Sequence, residues 1–290
     1  MQATKASSAE REVISANIEM YREIARKYDG YEVCVRDRGL QAMLHADLSR
    51  IASLVRPSSG RLKCLDCGGG SGNLSLKMLE MGWDVTVVDV SPEMLDILRK
   101  KAQVRGFAPK LIHSAIEDYL CSSSEKYDLI SFSSVLHHLY SYLTAAGLAA
   151  DHIQEGGIFY SSFDPVASRN KSLQKTFEAF DTACSKAFHD RADFFPGIGR
   201  RLDKLFRGRD ETHGRAIASP GDLAEYHAKK GVADTEIIDV LKTKGFQIVE
   251  HLRCPVARTW LTRLVNDRFR LMESSKIIAK QVSRQVFAAD

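Results

Sequence analysis

Residues 62–101 constrain this chain more than any other stretch. Leu62, Cys64 and Leu65 belong to an apolar run that leads into Asp66-Cys67-Gly68-Gly69-Gly70-Ser71-Gly72-Asn73, and a helical pattern follows to Gly82. A second apolar run, 85–88, closes on Asp89 before Ser91-Pro92 opens another helix. Strand, glycine-rich turn, helix, strand, acid is one half of a nucleotide-binding α/β sheet. A strand that reverses into a helix within a few residues needs φ > 0 and close backbone approach to a ligand, which glycine supplies without a Cβ clash. The helix behind it then aims unpaired N–H groups at that ligand. Asp89 lies 21 residues beyond Gly68, the spacing at which a carboxylate on the second strand meets ribose hydroxyls, two acceptors against two adjacent donors.

The dinucleotide fingerprint asks for a third glycine where this chain has Asn73, so that pattern fails. What fits without a gap is an acid followed by alternating glycines: Asp66, Gly68, Gly70, Gly72. This resembles motif I of the class I S-adenosylmethionine-dependent methyltransferases. The resemblance implies a Rossmann-like, doubly wound α/β sheet of seven strands in the order 3-2-1-4-5-7-6 with the last strand antiparallel, N-terminal helices, and a helical insertion after strand 5. It implies S-adenosylmethionine as cofactor and S-adenosylhomocysteine as product. Asp66 and Gly68, Gly69, Gly70 and Gly72 would wrap the methionine part, whose ammonium calls for a nearby carboxylate, and Asp89 would hold the ribose.

Composition sets the outer bounds. With 290 residues, 44% of them hydrophobic, the chain can bury a full core as one elaborated domain or two. A net charge of +4 is too mild to argue nucleic acid by itself. The first residues are polar and no apolar run reaches the roughly 18 residues of a membrane span, so a cytoplasmic protein is expected. Six scattered cysteines agree with a reducing compartment. Cys64 and Cys67 form a C-x-x-C, but on a strand their Cα atoms stand roughly 10 Å apart, beyond the reach of a disulfide.

Residues 8–56 read as two amphipathic helices, with Ile14, Ile18, Tyr21, Ile24 and Ala25 at helical spacing in the first and Leu40, Met43, Leu44, Leu48, Ile51 and Leu54 in the second. Tyr21, Tyr28 and Asp29 resemble the segment that the quinone-biosynthesis-like subgroup places over its cofactor as a lid; packing on the sheet is the other role open to them. Ser91 caps a helix with Pro92 at its first position, and Val90 and Met94 face either the adenine or the core. A third strand, 110–113, leads to Ser114, Ala115 and Ile116. The family's usual acid near this point is replaced by Ser114, with Glu117 and Asp118 slightly later, and these residues are expected around the adenine.

A fourth strand, 127–133, brings Ser133 to the cofactor and runs into Leu136-His137-His138-Leu139. Acceptors meet the cofactor beyond the carboxyl ends of such strands, and this run again resembles the quinone-biosynthesis-like subgroup, many of which methylate oxygen or carbon of small molecules. His138 ranks first as general base and His137 second. Adjacent residues point different ways, which argues against joint metal ligation, and no metal-ligand cluster is evident.

A helix over 142–154 ending at Gly156-Gly157 and a strand over 158–163 should follow. Residues 164–215 are too long for a simple connection and read as a structured insertion, with Phe177, Phe180 and Phe188 in its helical part; the family resemblance implies that it caps the acceptor. Its basic stretch at 200–209 reads as a solvated helix face, a counter-surface for an anionic substrate, or a contact to a membrane or RNA, and the sequence leaves these open. Further on are a helix opened by Ser219-Pro220, a helix capped around Asp234, strands at 246–251 and 276–282, and a helical excursion at 258–272. The expected organisation is a lid at 1–58, a cofactor domain at 59–163 and 216–290, and a cap at 164–215. The expected activity is methyl transfer to a small molecule, with an RNA- or protein-directed enzyme and a non-catalytic cofactor-binding module as alternatives.

Overall fold

In the computed structural model, which describes residues 7–57, 60–166, 176–177, 179–181, 223–224, 226–227, 230–255 and 272–282, seven strands pair into one sheet. They are β1 (Lys63–Cys67), β2 (Asp84–Asp89), β3 (Lys110–His113), β4 (Tyr127–Ser133), β5 (Ile153–Pro165), β6 (Phe246–Pro255) and β7 (Glu273–Gln281). The order is β3-β2-β1-β4-β5-β7-β6, with β7 antiparallel to both neighbours and the other pairs parallel. Parallel strands need helices on both faces, which is why β1 and β4 are buried along nearly their whole length, polar residues included.

One face buries Leu65, Phe132 and Phe159 against α6 (Ile116–Ser122), α7 (Tyr142–His152) and α8 (Asp234–Thr243). The other buries Val85, Leu129 and Ile278 beneath α3 (Arg38–Leu54), α4 (Ser75–Glu80) and α5 (Pro92–Val104). α5 starts where expected, Ser91 Oγ accepting from Met94 N at 3.2 Å. Before these lie α1 (Ser8–Tyr31), opened by a capping box between Ser7 and Glu10, and a single-turn α2 (Val33–Arg36). α3 is clamped to the sheet by a buried cluster in which Asp47 accepts from Tyr160 Oη at 2.9 Å and Lys276 Nζ at 2.7 Å.

Three boundaries differ from expectation because ladder bonds outlast the hydrophobic pattern. β5 begins five residues early: Ile153 already pairs with Tyr127, so Gly156 and Gly157 lie within the strand rather than at the end of α7. A Cβ at Gly157 would stand 2.9 Å from the Asp128 carbonyl oxygen. β6 and β7 pair out to Pro255 and Glu273, past the 251 and 276 limits. Asp234 does not cap α8; Ala233 occupies that position. The Asp234 carboxylate is buried against Arg253 (2.6 and 2.8 Å) and His251 (2.8 Å). Burial favours its protonated form, but Arg253 and His251 together outweigh that and hold it below the usual range.

The readings for 182–222 and 256–271, which include the basic stretch, Phe188, Ser219-Pro220 and Trp260, lie outside the described residues. Within 164–215, Phe177 is buried and Phe180 exposed. No helix among the described residues is long and apolar enough to cross a membrane.

Candidate active site

The glycine loop follows β1 at the carboxyl edge of the sheet. Gly68 (φ 66°) turns the chain there, and its amide donates to the Val88 carbonyl at 2.7 Å, tying the loop to β2. Gly72 (φ 93°) serves a different purpose: a Cβ on it would come within 2.3 Å of Leu98 Cδ1, so it lets α5 pack against the loop. Gly70 donates from its amide to Asp89 Oδ2 at 2.8 Å, and Ser91 N donates to Asp89 Oδ1 at 2.8 Å. The carboxylate is thus oriented by two backbone donors, one on each oxygen. Burial raises its pKa, and those two donors pull it partway back.

A cleft of about 1000 Å³, counted to its open mouth, extends from this loop. Asp66, Gly68, Gly69, Gly70, Asp89, Val90, Met94, Ala115, Ile116, Ser133, Tyr28 and His138 line it, as expected from the sequence. Gly72, Ser114 and His137 do not line it. Gly72 faces Leu98; Ser114 turns back, its amide bonded to the Asp89 carbonyl and its hydroxyl to the Ala115 carbonyl. His137 is buried, its Nδ1 2.8 Å from Asp164 Oδ1.

Asp66 sits at the cleft floor with both oxygens engaged, one by Ser75 Oγ and the other by Ser131 Oγ at 2.8 Å. Burial pushes its pKa up to about 6 although the two hydroxyls oppose this. Glu117 lies at the first turn of α6 on the cleft wall. Burial raises it to about 7, with Glu10 and Asp118 adding to the rise.

The other wall is α1. Glu10, Ile14, Asn17, Tyr21 and Tyr28 recur at three-, four- and seven-residue spacing and all line the cleft, so one face of this helix is its roof. Asp29 fastens the roof to the loop: it accepts from Ser71 Oγ and pairs with Lys101 Nζ, which also donates to the Ser71 carbonyl at 2.9 Å. Beyond β4 the chain passes through Ser134, a non-glycine residue at φ 61°, into the short turn Leu136–His138. Such backbone costs about 1–3 kcal/mol and persists where surrounding structure demands it; here the Ser134 amide is held by the Ser162 carbonyl at 2.8 Å.

This turn brings the two histidine rings to 4.0 Å between centroids, so the expectation that they diverge does not hold. Their nitrogens nevertheless have different partners. His138 Nδ1 is 2.7 Å from the Ala224 carbonyl oxygen, which only accepts, so Nδ1 carries a proton. In the neutral ring Nε2 is then an acceptor, and Tyr21 Oη donates to it at 3.0 Å.

The sequence profile of a methyltransferase domain matches residues 64–157. That segment is similar to a methyltransferase domain. Over 98 residues the chain is 36% identical to a tRNA 5-carboxymethoxyuridine methyltransferase of Escherichia coli, covering 33% of this chain and 37% of that protein. Over 103 residues it is 31% identical to a ubiquinone biosynthesis O-methyltransferase of Vibrio vulnificus, covering 35% and 44%. The chain therefore spans less than half the length of each of these relatives. The fold aligns with a magnesium protoporphyrin IX methyltransferase of Synechocystis solved with S-adenosylhomocysteine, at a TM-score of 0.55 and 18% identity, over 94% of this chain and 100% of that one.

The matched segment contributes the loop, Asp89, Glu117, Ser133 and both histidines, while α1 lies before it. The residues present fit S-adenosylmethionine. Each Asp89 oxygen accepts one backbone N–H and has a second lone pair for a ribose hydroxyl. A Cβ at Gly70 would meet no atom nearer than 3.6 Å, which leaves a shelf against the loop. Among the described residues, the cleft lining holds four carboxylic side chains, Glu10, Asp66, Asp89 and Glu117, and no lysine or arginine. Sequence reasoning passed over Glu10 and Asn17 because it followed the apolar positions of α1; their helical spacing with Tyr21 was the available signal.

Proposed function

We propose that this chain transfers the methyl group of S-adenosylmethionine to oxygen or carbon of a small-molecule acceptor enclosed beneath α1. The acidic lining of the glycine-loop cleft carries the proposal. It attracts a cation bearing sulfonium and ammonium groups and repels the pyrophosphate of a nicotinamide dinucleotide. S-adenosylmethionine, when bound, supplies an electrophilic methyl group. Asp89 would hold the ribose, Val90, Met94 and Ile116 the faces of the adenine, Glu117 its amino group, and Asp66 with the loop the amino-acid end.

Tyr21 and His138 would serve the acceptor. A proton leaving the attacking atom passes to Tyr21 Oη as Tyr21 gives its own to His138 Nε2, and the imidazolium so formed remains bonded to the Ala224 carbonyl. His137, bonded to Asp164, would support the His138 ring rather than act as base. In this reading residues 1–58 act as lid and 164–215 as acceptor cap.

Calorimetric titration with S-adenosylhomocysteine, together with transfer of radiolabelled methyl to a library of small phenols, alcohols and enols, tests the proposal. Binding plus transfer supports it; absence of binding at millimolar concentration refutes it, and binding without any transfer leaves a cofactor-binding module. The tRNA-directed relative favours one other reading, an RNA substrate. That reading requires transfer to tRNA, modified uridines included, with a steep salt dependence.

A further inference from the structure

Ser134 holds a backbone conformation that its own local contacts do not explain. Its φ of 61° lies in the left-handed region that glycine enters freely and other residues enter at a cost. Short polar side chains tolerate that region by bonding to nearby backbone. Ser134 does not: among the described residues its hydroxyl meets no hydrogen-bond partner. The bond that holds the conformation, from its amide to the Ser162 carbonyl at 2.8 Å, is one that glycine would make equally well. Phe163, also at positive φ (64°), differs in this respect, because its ring packs against the core beneath α3 and α4.

What glycine could not supply at position 134 is a hydroxyl on the cleft wall. Ser134 is half-buried and lines the cleft. It also stands between the two parts of the proposed chemistry. Val135, the next residue, packs on the glycine loop: a Cβ on Gly68 would come within 2.7 Å of both Val135 methyl groups. The Val135 carbonyl in turn accepts from the His138 amide at 2.9 Å, so the same turn carries the ring that Tyr21 Oη is bonded to. A group held between loop and relay is therefore within reach of the Ser134 hydroxyl.

We propose that Ser134 is a further catalytic residue, whose hydroxyl donates a hydrogen bond to the acceptor oxygen that gives up its proton. The inference rests on the methyltransferase reading above. When the proton passes to Tyr21, the oxygen keeps the bonding pair and becomes negative; one lone pair accepts from Ser134 Oγ and another stays free for the methyl group. The acceptor class is accordingly a phenol or an enol. A neutral amine has a single lone pair, which the methyl group takes, so it has none left for the Ser134 donor.

The test uses the full chain saturated with sinefungin, an S-adenosylmethionine analogue in which an amine-bearing carbon replaces the methylated sulfur, and two matched probes, 4-nitrophenol and 4-nitroaniline. Soaked crystals should place the 4-nitrophenol oxygen within about 3.2 Å of Ser134 Oγ. Ser134→Ala should weaken 4-nitrophenol by at least about fivefold, the loss expected of one hydrogen bond, and 4-nitroaniline by less than about twofold. Ser134→Gly should lose the same affinity while melting no lower than wild type, a split that a residue needed only for the fold would not give. Failure of the wild type to bind 4-nitrophenol, an unchanged affinity in Ser134→Ala, equal losses for both probes, or a Ser134→Gly protein that melts lower overturns the inference. S-adenosylhomocysteine titrated into each protein separates the two claims. Its failure to bind the wild type defeats the methyltransferase reading, whereas its weakening in Ser134→Ala alone would give the hydroxyl to the cofactor and defeat this inference.

Discussion

Asp89 holds the loop and, in the proposed function, the ribose with one carboxylate. Its two oxygens each accept a backbone N–H, from Ser91 and from Gly70. Replacement by Asn leaves one of those donors facing an NH₂ group, donor against donor. Asp89→Asn should therefore weaken S-adenosylhomocysteine by at least about 1.5 kcal/mol, the scale of a lost charge-assisted hydrogen bond, and also lower the melting temperature. Unchanged calorimetric affinity would remove Asp89 from the ribose. The relay is separable from cofactor binding: Tyr21→Phe and His138→Ala should each lower kcat by about 100-fold, the lower range for general acid–base catalysis, with cofactor affinity within about twofold. A Tyr21→Phe enzyme as fast as wild type across pH would show that the proton leaves by another route.

The proposed lid, α1, is joined to the loop by contacts that can be loosened without touching the core. Asp29, Ser71 and Lys101 form the fastening, and Asp29 and Lys101 are each about one-third exposed (36% and 29%). Partly exposed pairs contribute on the order of 1 kcal/mol or less. Asp29→Asn should leave thermal stability nearly unchanged while S-adenosylhomocysteine dissociates several-fold faster in stopped-flow measurements. An unaltered dissociation rate would mean that α1 does not gate release. The same element shows what the sequence could disclose. The strand ends at Cys67, Asp89 and Ser133 were legible because apolar runs and glycine turns are local signals, whereas the order of the sheet came from the family resemblance. The facing of individual residues was not. Gly72 belongs to the motif yet faces Leu98, and His137 belongs to the histidine pair yet faces Asp164, because facing depends on helices packed from elsewhere. Asn17 and Glu10 line the roof only once α1 packs on α5 and on the turn after β4.

At the scale of the whole molecule, the cleft stores acid groups in a protonated form that a cationic ligand would discharge. Asp66 is raised to about 6 by burial, and Glu117 to about 7 by burial reinforced by Glu10 and Asp118. Both lie above their values in an unfolded chain, so between roughly pH 4 and 7 the folded protein holds protons that the unfolded chain has lost. Without ligand, their contribution to stability therefore falls as pH rises through that window and levels off above it. A bound cation reverses the preference by favouring the carboxylates. Binding of S-adenosylmethionine should release protons and tighten by at least about threefold from pH 5.5 to 7.5, then level off. S-adenosylhomocysteine lacks the sulfonium charge and should show a shallower slope. Titrations in two buffers of different ionisation enthalpy count the protons directly. Proton uptake, or equal slopes for the two ligands, would mean that the acidic lining does not sense the sulfonium, and the electrostatic basis for assigning this cofactor would be lost.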